Sequence, residues 1–364
     1  MKPIFTFFLL LFTTIIFAQD NMFVHTATPA NISADASFID HPLLNNNPTA
    51  QLIVSHNWNP PGSTGVYNDN ITGVFYSNSQ NRWGVYNESG ASMLDGSSYN
   101  IFIGQSTDIT LHIADLANQD TNPIYSILNH PNLNGNPDAQ VILTTYYNPN
   151  GIRNNHNYGV WYDSADDRWK IYTEDLVDIP LDSAFFVGVG ETDAITITHT
   201  ATAANISGNW TEIDHPLLDN NPDAVLVFTH NWGATGDSSN VILDKTLGVW
   251  YTGSKWAIYT EDLSPMPQDI EFDITIYDSP VLGIEDNTIE GFSMYPNPTN
   301  NQLNITAKEA ISNISIYNVL GQEIATYKGN DVIMNIDVSQ LSTGTYIAKV
   351  QVGDAVKASK FIKL

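Results

Sequence analysis

Short apolar runs recur along the chain at intervals set by three near-copies of one polar loop. The loop Asp40-His41-Pro42-Leu43-Leu44-Asn45-Asn46-Asn47-Pro48 has counterparts beginning at Asn129-His130-Pro131 and Asp214-His215-Pro216, with the His-Pro pairs 89 and 85 residues apart. After each loop comes an apolar run (residues 51–54, 140–143 and 225–228), then a Gly-Val-aromatic-Tyr element (73–76, 159–162 and 248–251), then a Trp-containing run (82–86, 168–172 and 255–259). In the last run the Trp, aliphatic and Tyr positions fall two apart, which places them on one face of a pleated strand. No segment of the repeats sustains a 3.6-residue apolar period. The pattern predicts three homologous antiparallel β modules, sandwiches or barrels of about five to seven strands each.

The loops carry their own conformational signal. A residue before Pro is pushed out of the helical region, Pro fixes its own φ, and Asn or Gly supplies left-handed positions. The His-Pro to Asn-Pro segment therefore reads as a rigid turn feeding a central strand. The repeat length exceeds that of common solenoids and suits a tandem small domain. It is compatible with separate beads and with a closed threefold assembly.

Charge divides the chain again. Of 364 residues only 14% are charged and none is Cys, against about 25% charged in an average soluble domain. Disulfide staples, Cys-zinc sites and thiol chemistry are excluded. Residues 19–291 hold 34 acidic side chains against six Lys and Arg, whereas residues 292–364 hold five against six. The repeats and the tail are different domains. An acidic surface of this size argues against nucleic acid and anionic lipid as partners, since both need Lys and Arg.

At the N-terminus, Met1-Lys2, an apolar stretch over 4–17 and Ala18-Gln19-Asp20 form the parts of a secretory signal peptide, with cleavage expected between Ala18 and Gln19. The stretch is shorter than the ~20 residues that span a bilayer, and no transmembrane segment is expected in the mature form. The resulting domain plan is a signal peptide (1–18), modules at 19–106, 107–192 and 193–278, a polar linker (279–291) and a small C-terminal domain (292–364).

Two groups stand out as ligand-binding candidates: His56-Asn57-Trp58 and His230-Asn231-Trp232. An indole face and an amide at a strand end suit a sugar, the ring stacking on a pyranose and the amide reading its hydroxyls. The structural alternative is that these aromatics close the end of the core. The recurring Trp83, Trp169 and Trp256 read as core. The neighbours Glu174-Asp175 and Glu261-Asp262 make a poor catalytic pair, because consecutive strand residues face opposite ways. Asp219 and Asp223 are candidate ligands for a possible Ca²⁺ ion, in a loop without EF-hand spacing. No phosphate loop, nucleophile elbow or zinc-protease motif is present, so no catalytic residue is assigned.

The tail carries Tyr295-Pro296-Asn297-Pro298, Tyr317-Asn318-Val319-Leu320-Gly321-Gln322, Leu341-Ser342-Thr343-Gly344-Thr345-Tyr346 and a basic-apolar end around Lys360. Over these motifs it resembles the C-terminal sorting domain of the type IX (Por) secretion system of Bacteroidota. The runs themselves read as alternating strands of a small Ig-like β-sandwich, and the resemblance implies Sec export, recognition by the type IX translocon, removal of the domain, and release or attachment at the outer cell surface. The modules resemble repeats of uncharacterised secreted bacterial proteins. Together these features predict a secreted or surface binding or adhesive protein, with glycan or matrix as ligand and affinity built from repeated sites. A structural stalk or coat without a ligand, and a polysaccharide-active hydrolase, are the alternatives.

Overall fold

The structure, a computed structural model, describes residues 21–104, 109–189, 195–233, 241–277, 289, 291–318, 322–353 and 355–364. The expected cleavage site at Ala18 and Gln19, and the sorting-motif residue Gly321, lie outside the described residues. Among the described residues there is no helix, and the architecture is all-β.

Module one contains β1 (Met22–Thr26), β2 (Ile32–Ser33), β3 (Ala36–Phe38), β4 (Gln51–Asn57), β5 (Thr72–Ser77), β6 (Arg82–Asn87) and β7 (Ser98–Gly104). Module two contains β8 (Ile109–Ala114), β9 (Tyr125–Ile127), β10 (Ile142–Tyr146), β11 (Tyr158–Asp163), β12 (Arg168–Thr173) and β13 (Ser183–Gly188). Module three contains β14 (Ile195–Thr200), β15 (Ile206–Ser207), β16 (Trp210–Glu212), β17 (Val225–Asn231), β18 (Leu247–Tyr251), β19 (Trp256–Thr260) and β20 (Glu271–Tyr277). Within a module every pairing is antiparallel.

The polar loop does the work its residues suggest. Asn46, Gly135 and Asn220 take the left-handed position, with φ of 58°, 66° and 56°. Immediately after it, the carbonyls of Asn47, Asn136 and Asn221 accept the indole N–H of Trp83, Trp169 and Trp256 at 2.8, 2.9 and 2.8 Å. These three tryptophans are fully buried in the three module cores. A loop bonded to the largest core side chain is held rigidly, and its conformation is repeated because that bond is repeated. His41, His130 and His215 belong to the same turn, where each ring Nδ1 accepts a backbone N–H two residues on.

The modules are not separate beads. Each splits its strands between two sheets, and each sheet continues into a neighbour: β1-β7-β4 of module one runs into β18-β19-β16-β15 of module three, β2-β3-β6-β5 of module one into β10-β13-β8 of module two, and β14-β20-β17 of module three into β11-β12-β9 of module two. All three joins are short parallel pairings with the same register: Gly73 opposite Thr145, Gly159 opposite His230 and Gly248 opposite His56. A ring of hydroxyls completes the closure. Thr144 Oγ1 accepts the N–H of Val54 at 2.8 Å, Thr229 Oγ1 that of Leu143 at 2.9 Å, and Ser55 Oγ that of Phe228 at 3.1 Å. Each module thus donates to the next, and the third returns to the first, a pseudo-threefold ring.

Contacts divide the chain between Ser279 and Pro280. The C-terminal unit contains β21 (Ser293–Tyr295), β22 (Gln302–Asn318), β23 (Glu323–Asp337), β24 (Gly344–Val352) and β25 (Ala355–Lys363). The long β22 pairs with β23 along most of its length and shifts register between Thr306 and Asn313, which bends the hairpin around its own core of Leu303, Ile305, Ile314, Ile316, Ile336 and Phe361. Asn297 holds the end of this unit to β25, its Nδ2 donating to Lys360 O and its Oδ1 accepting the Ile362 N–H. Tyr295 is half exposed, and the Tyr346 ring stacks on Phe361.

Candidate functional site

Each seam between modules is built from a histidine or threonine on one module and a Tyr-x-Glu pair on the other. At the seam of modules three and one, His56 Nδ1 contacts Glu261 Oε1, which also accepts the Tyr259 hydroxyl at 2.6 Å, while Glu261 Oε2 accepts the Asn68 N–H at 3.0 Å. At the seam of modules two and three, His230 Nδ1 contacts Glu174 Oε1, which accepts the Tyr172 hydroxyl at 2.9 Å, and Glu174 Oε2 accepts the Leu243 N–H at 2.9 Å. The third seam has Thr145 in place of histidine. There Glu88 accepts the Asn154 N–H at 2.8 Å, and burial holds its carboxyl above the usual carboxylate range.

The glycine of each Gly-Val-aromatic-Tyr element is explained by these groups. A Cβ on Gly248 would sit 2.7 Å from the Tyr259 hydroxyl and 2.8 Å from Glu261 Oε1, and one on Gly73 would sit 2.6 Å from both Glu88 Oε1 and Thr145 Oγ1. The seam has no room for a side chain there. Around the pseudo-threefold axis, His56, Thr145 and His230 line a cavity of about 120 Å³. His156 and Lys245 line it as well, and are paired with Asp175 and Asp262.

A second cavity, of about 110 Å³, opens at the seam of modules three and one and is lined by Trp58, Tyr67, Asn209, Trp210, Trp250 and Tyr259. The Trp250 ring meets Trp58 edge-on at 5.8 Å and Trp210 at 5.3 Å, while Tyr67 meets Trp58 at 5.4 Å and Tyr259 at 5.8 Å. The Trp58 ring is seated on Gly65, where a Cβ would fall 2.4 Å from it and where φ is +83°. Asn209 donates its amide to Thr260 O at 3.2 Å. This is a surface recess walled by three indoles and two phenols. Burial pushes the Tyr259 hydroxyl well above its ordinary titration range, so it remains a donor.

The sequence groups His56-Asn57-Trp58 and His230-Asn231-Trp232 therefore do not present one surface each. Their histidines turn to the seam acids, and Trp58 and Trp232 join the seam aromatics. Their amides are buried, Asn57 donating to Asn100 at 2.8 Å and Asn231 to Asp273 at 3.2 Å. Asp219 lies 3.6 Å from Lys255, Asp223 lines a separate groove, and among the described residues no three His, Asp or Glu side chains converge as metal ligands. Sequence reasoning missed Tyr67, Asn209, Trp210 and Trp250. Trp210 differs among the copies, with Ala36 and Tyr125 opposite the same seam tyrosine in modules one and two. That variation was the available signal.

Comparison with known proteins places this architecture. The model of the family described as a domain of unknown function, DUF7452, matches residues 8–80, 73–189 and 159–276. The chain belongs to the DUF7452 family. The second and third matches begin at Gly73 and Gly159, inside one module, and run through the whole of the next. These two matches take in a parallel seam as well as one module, whereas the first, 8–80, ends inside module one. Residues 293–364 match the secretion system C-terminal sorting domain, which makes this DUF7452 protein a type IX secretion substrate bound for the cell surface or the medium.

No curated protein sequence matches the chain. Among solved structures, PorZ, a surface component of the type IX secretion system of Porphyromonas gingivalis, is 13% identical with a TM-score of 0.18, over 57% of this chain and 25% of that one. The four N-terminal Ig domains of Dscam1 isoform 4.44 are 10% identical with a TM-score of 0.16, over 91% of this chain and 99% of that one. Overlaps at these scores transfer neither fold nor function.

Proposed function

We propose that this DUF7452 protein is a surface-displayed or released binding protein, with glycan or matrix as its ligand, and that the ligand enters the aromatic recess at the seam of modules three and one. The observation that carries the reading is the recess itself. Three indoles and two phenols converge on an open cavity of about 110 Å³, whereas the core tryptophans of the same modules are completely enclosed. Aromatic walls suit the apolar face of a pyranose, and Asn209 and the Tyr67 hydroxyl supply polar groups at the rim. The site is single per chain on this reading, so the expectation of affinity built from repeated sites gives way to one specialised seam.

A glycan array probed with the full chain tests this, beside Trp58→Ala and Trp250→Ala variants checked for native far-UV circular dichroism. Binding that is lost in both folded variants supports the reading and locates the site. Failure of the wild-type chain to bind any array glycan or matrix polymer favours a structural coat.

A further inference from the structure

The three seams carry corresponding aromatic clusters, and in two of them a cation from the chain itself lies over one of the rings. At the seam of modules two and three, Trp161 meets Trp232 at 5.6 Å and Tyr125 at 5.3 Å. Over the Trp161 ring lies the Lys170 ammonium, 5.4 Å from its centroid. Asp120, Asp163 and Asp166 hold that ammonium at 2.5, 2.7 and 2.7 Å. At the seam of modules one and two, Phe75, Tyr86 and Tyr147 form the cluster. The Arg153 guanidinium sits 5.3 Å over the Tyr86 ring and is anchored by Asp35 at 2.5 Å and by the Asn87 carbonyl at 2.9 Å.

Among the described residues, the remaining seam keeps the rings with no Lys or Arg over them. Trp250 stands where Trp161 stands, but its strand partner is the small Ala257 in place of Lys170. Asn209 stands where Asp35 stands, since Asp35 and Asn209 use their carbonyls to accept the N–H of Asn87 and Thr260 in the same way. This is the seam that holds the open cavity. Aromatic faces attract cations through the ring quadrupole, and cages of several rings suit alkylated nitrogen in particular. The surrounding chain is strongly acidic, with 34 Asp and Glu against six Lys and Arg over residues 19–291, which favours approach of a cation.

We propose that the recess formed by Trp58, Tyr67, Trp210, Trp250 and Tyr259 is an aromatic cage for an alkylammonium group on the ligand, a cation from outside at the seam whose rings have none from the described residues. Tyr67 stands there at the position of Arg153, the N–H of the next residue bonding to the seam acid in both. The proposal rests on the same cavity being the ligand site, and it names the group that enters it. Asn209 Oδ1 takes the part of the anchoring acid, as a neutral acceptor.

Choline and its neutral isostere 3,3-dimethylbutan-1-ol, titrated calorimetrically into the full chain, separate charge from shape. Saturable choline binding, weakened about tenfold or more for the isostere and lost in Trp250→Ala and Tyr67→Ala, is the expected result. Tyr67 is 45% exposed, so its replacement keeps the test valid where Trp250→Ala fails to fold. Equal binding of choline and the isostere overturns the proposal and leaves an apolar pocket. A neutral saccharide that binds where choline does not overturns the proposal and leaves the glycan reading standing. Absence of binding by choline and saccharides alike overturns both.

Discussion

His56 and Glu261 are separated by 205 residues of chain and meet side chain to side chain across the seam that closes the ring. Both are almost completely buried, and Glu261 is the shared acceptor of an imidazole, a phenol and a backbone amide. Glu261→Ala leaves the Asn68 amide without this acceptor and leaves the Tyr259 hydroxyl and His56 Nδ1 only each other, at 3.1 Å. The expected loss is about 3–5 kcal/mol, the range for removing one member of a buried pair. Glu88→Ala, at the seam that has Thr145 in place of histidine, should cost clearly less. Urea unfolding of the two variants side by side checks the difference.

Sharing of sheets sets a prediction for fragments. Residues 19–106 alone would leave β4 and β5 without the partners that β18 and β10 supply in the chain. Such a fragment is expected to aggregate or to show no cooperative melt, whereas residues 19–279 should unfold in one transition. Calorimetry with size-exclusion chromatography decides between this outcome and three independent beads.

A third repeated pair makes stability depend on pH. His25, His112 and His199 bond to Ser37, Ser126 and Thr211 at 2.7, 2.7 and 2.8 Å, and burial lowers each imidazole from 6.5 to about 4. Above pH 6.5 folded and unfolded chains both hold these rings neutral. Between 6.5 and about 4 the unfolded chain takes up protons that the folded one refuses, so each site removes about 1.4 kcal/mol per pH unit as pH falls. Asp273 acts in the opposite sense: burial raises its carboxyl from 3.8 to about 7, and the folded state gains from the extra proton as pH falls through that window. Asp273→Asn, the residue that module one carries at Asn100, should therefore steepen the acid-side loss. Urea midpoints across this range test both signs.

Lys170 is 2% exposed and balanced by three carboxylates. Lys170→Met keeps much of the stem's packing but leaves Asp120, Asp163 and Asp166 facing one another, with an expected cost of about 3 kcal/mol or more. Asp120, which titrates at about 2 with Lys170 bonded to it, should move upward in the variant. Carboxyl NMR titration follows that shift directly.

The strands, the rigid Asn-Pro turns and the core tryptophans were legible because each depends on local alternation or on one residue's backbone preference. Trp83, Trp169 and Trp256 sit where their two-residue spacing put them. The seams were not legible, since Glu174 and Glu261 look like strand-end acids until the next module's histidine is placed against them. Likewise Asn57 and Trp58 are neighbours in sequence but enter different environments, one enclosed and one at a surface recess. The aromatic cage takes Trp58 and Tyr67 from module one and Asn209, Trp210, Trp250 and Tyr259 from module three, so only closure of the ring assembles it.

The parallel pairing of Gly248 with His56 gives the chain a direction in time. Until residues beyond 248 have been made, β4 of the first module presents an unfilled strand edge, and any product truncated earlier keeps that edge open. The sorting domain is encoded after every strand that closes the ring. A chain that carries its sorting domain therefore already contains the strand that covers this edge.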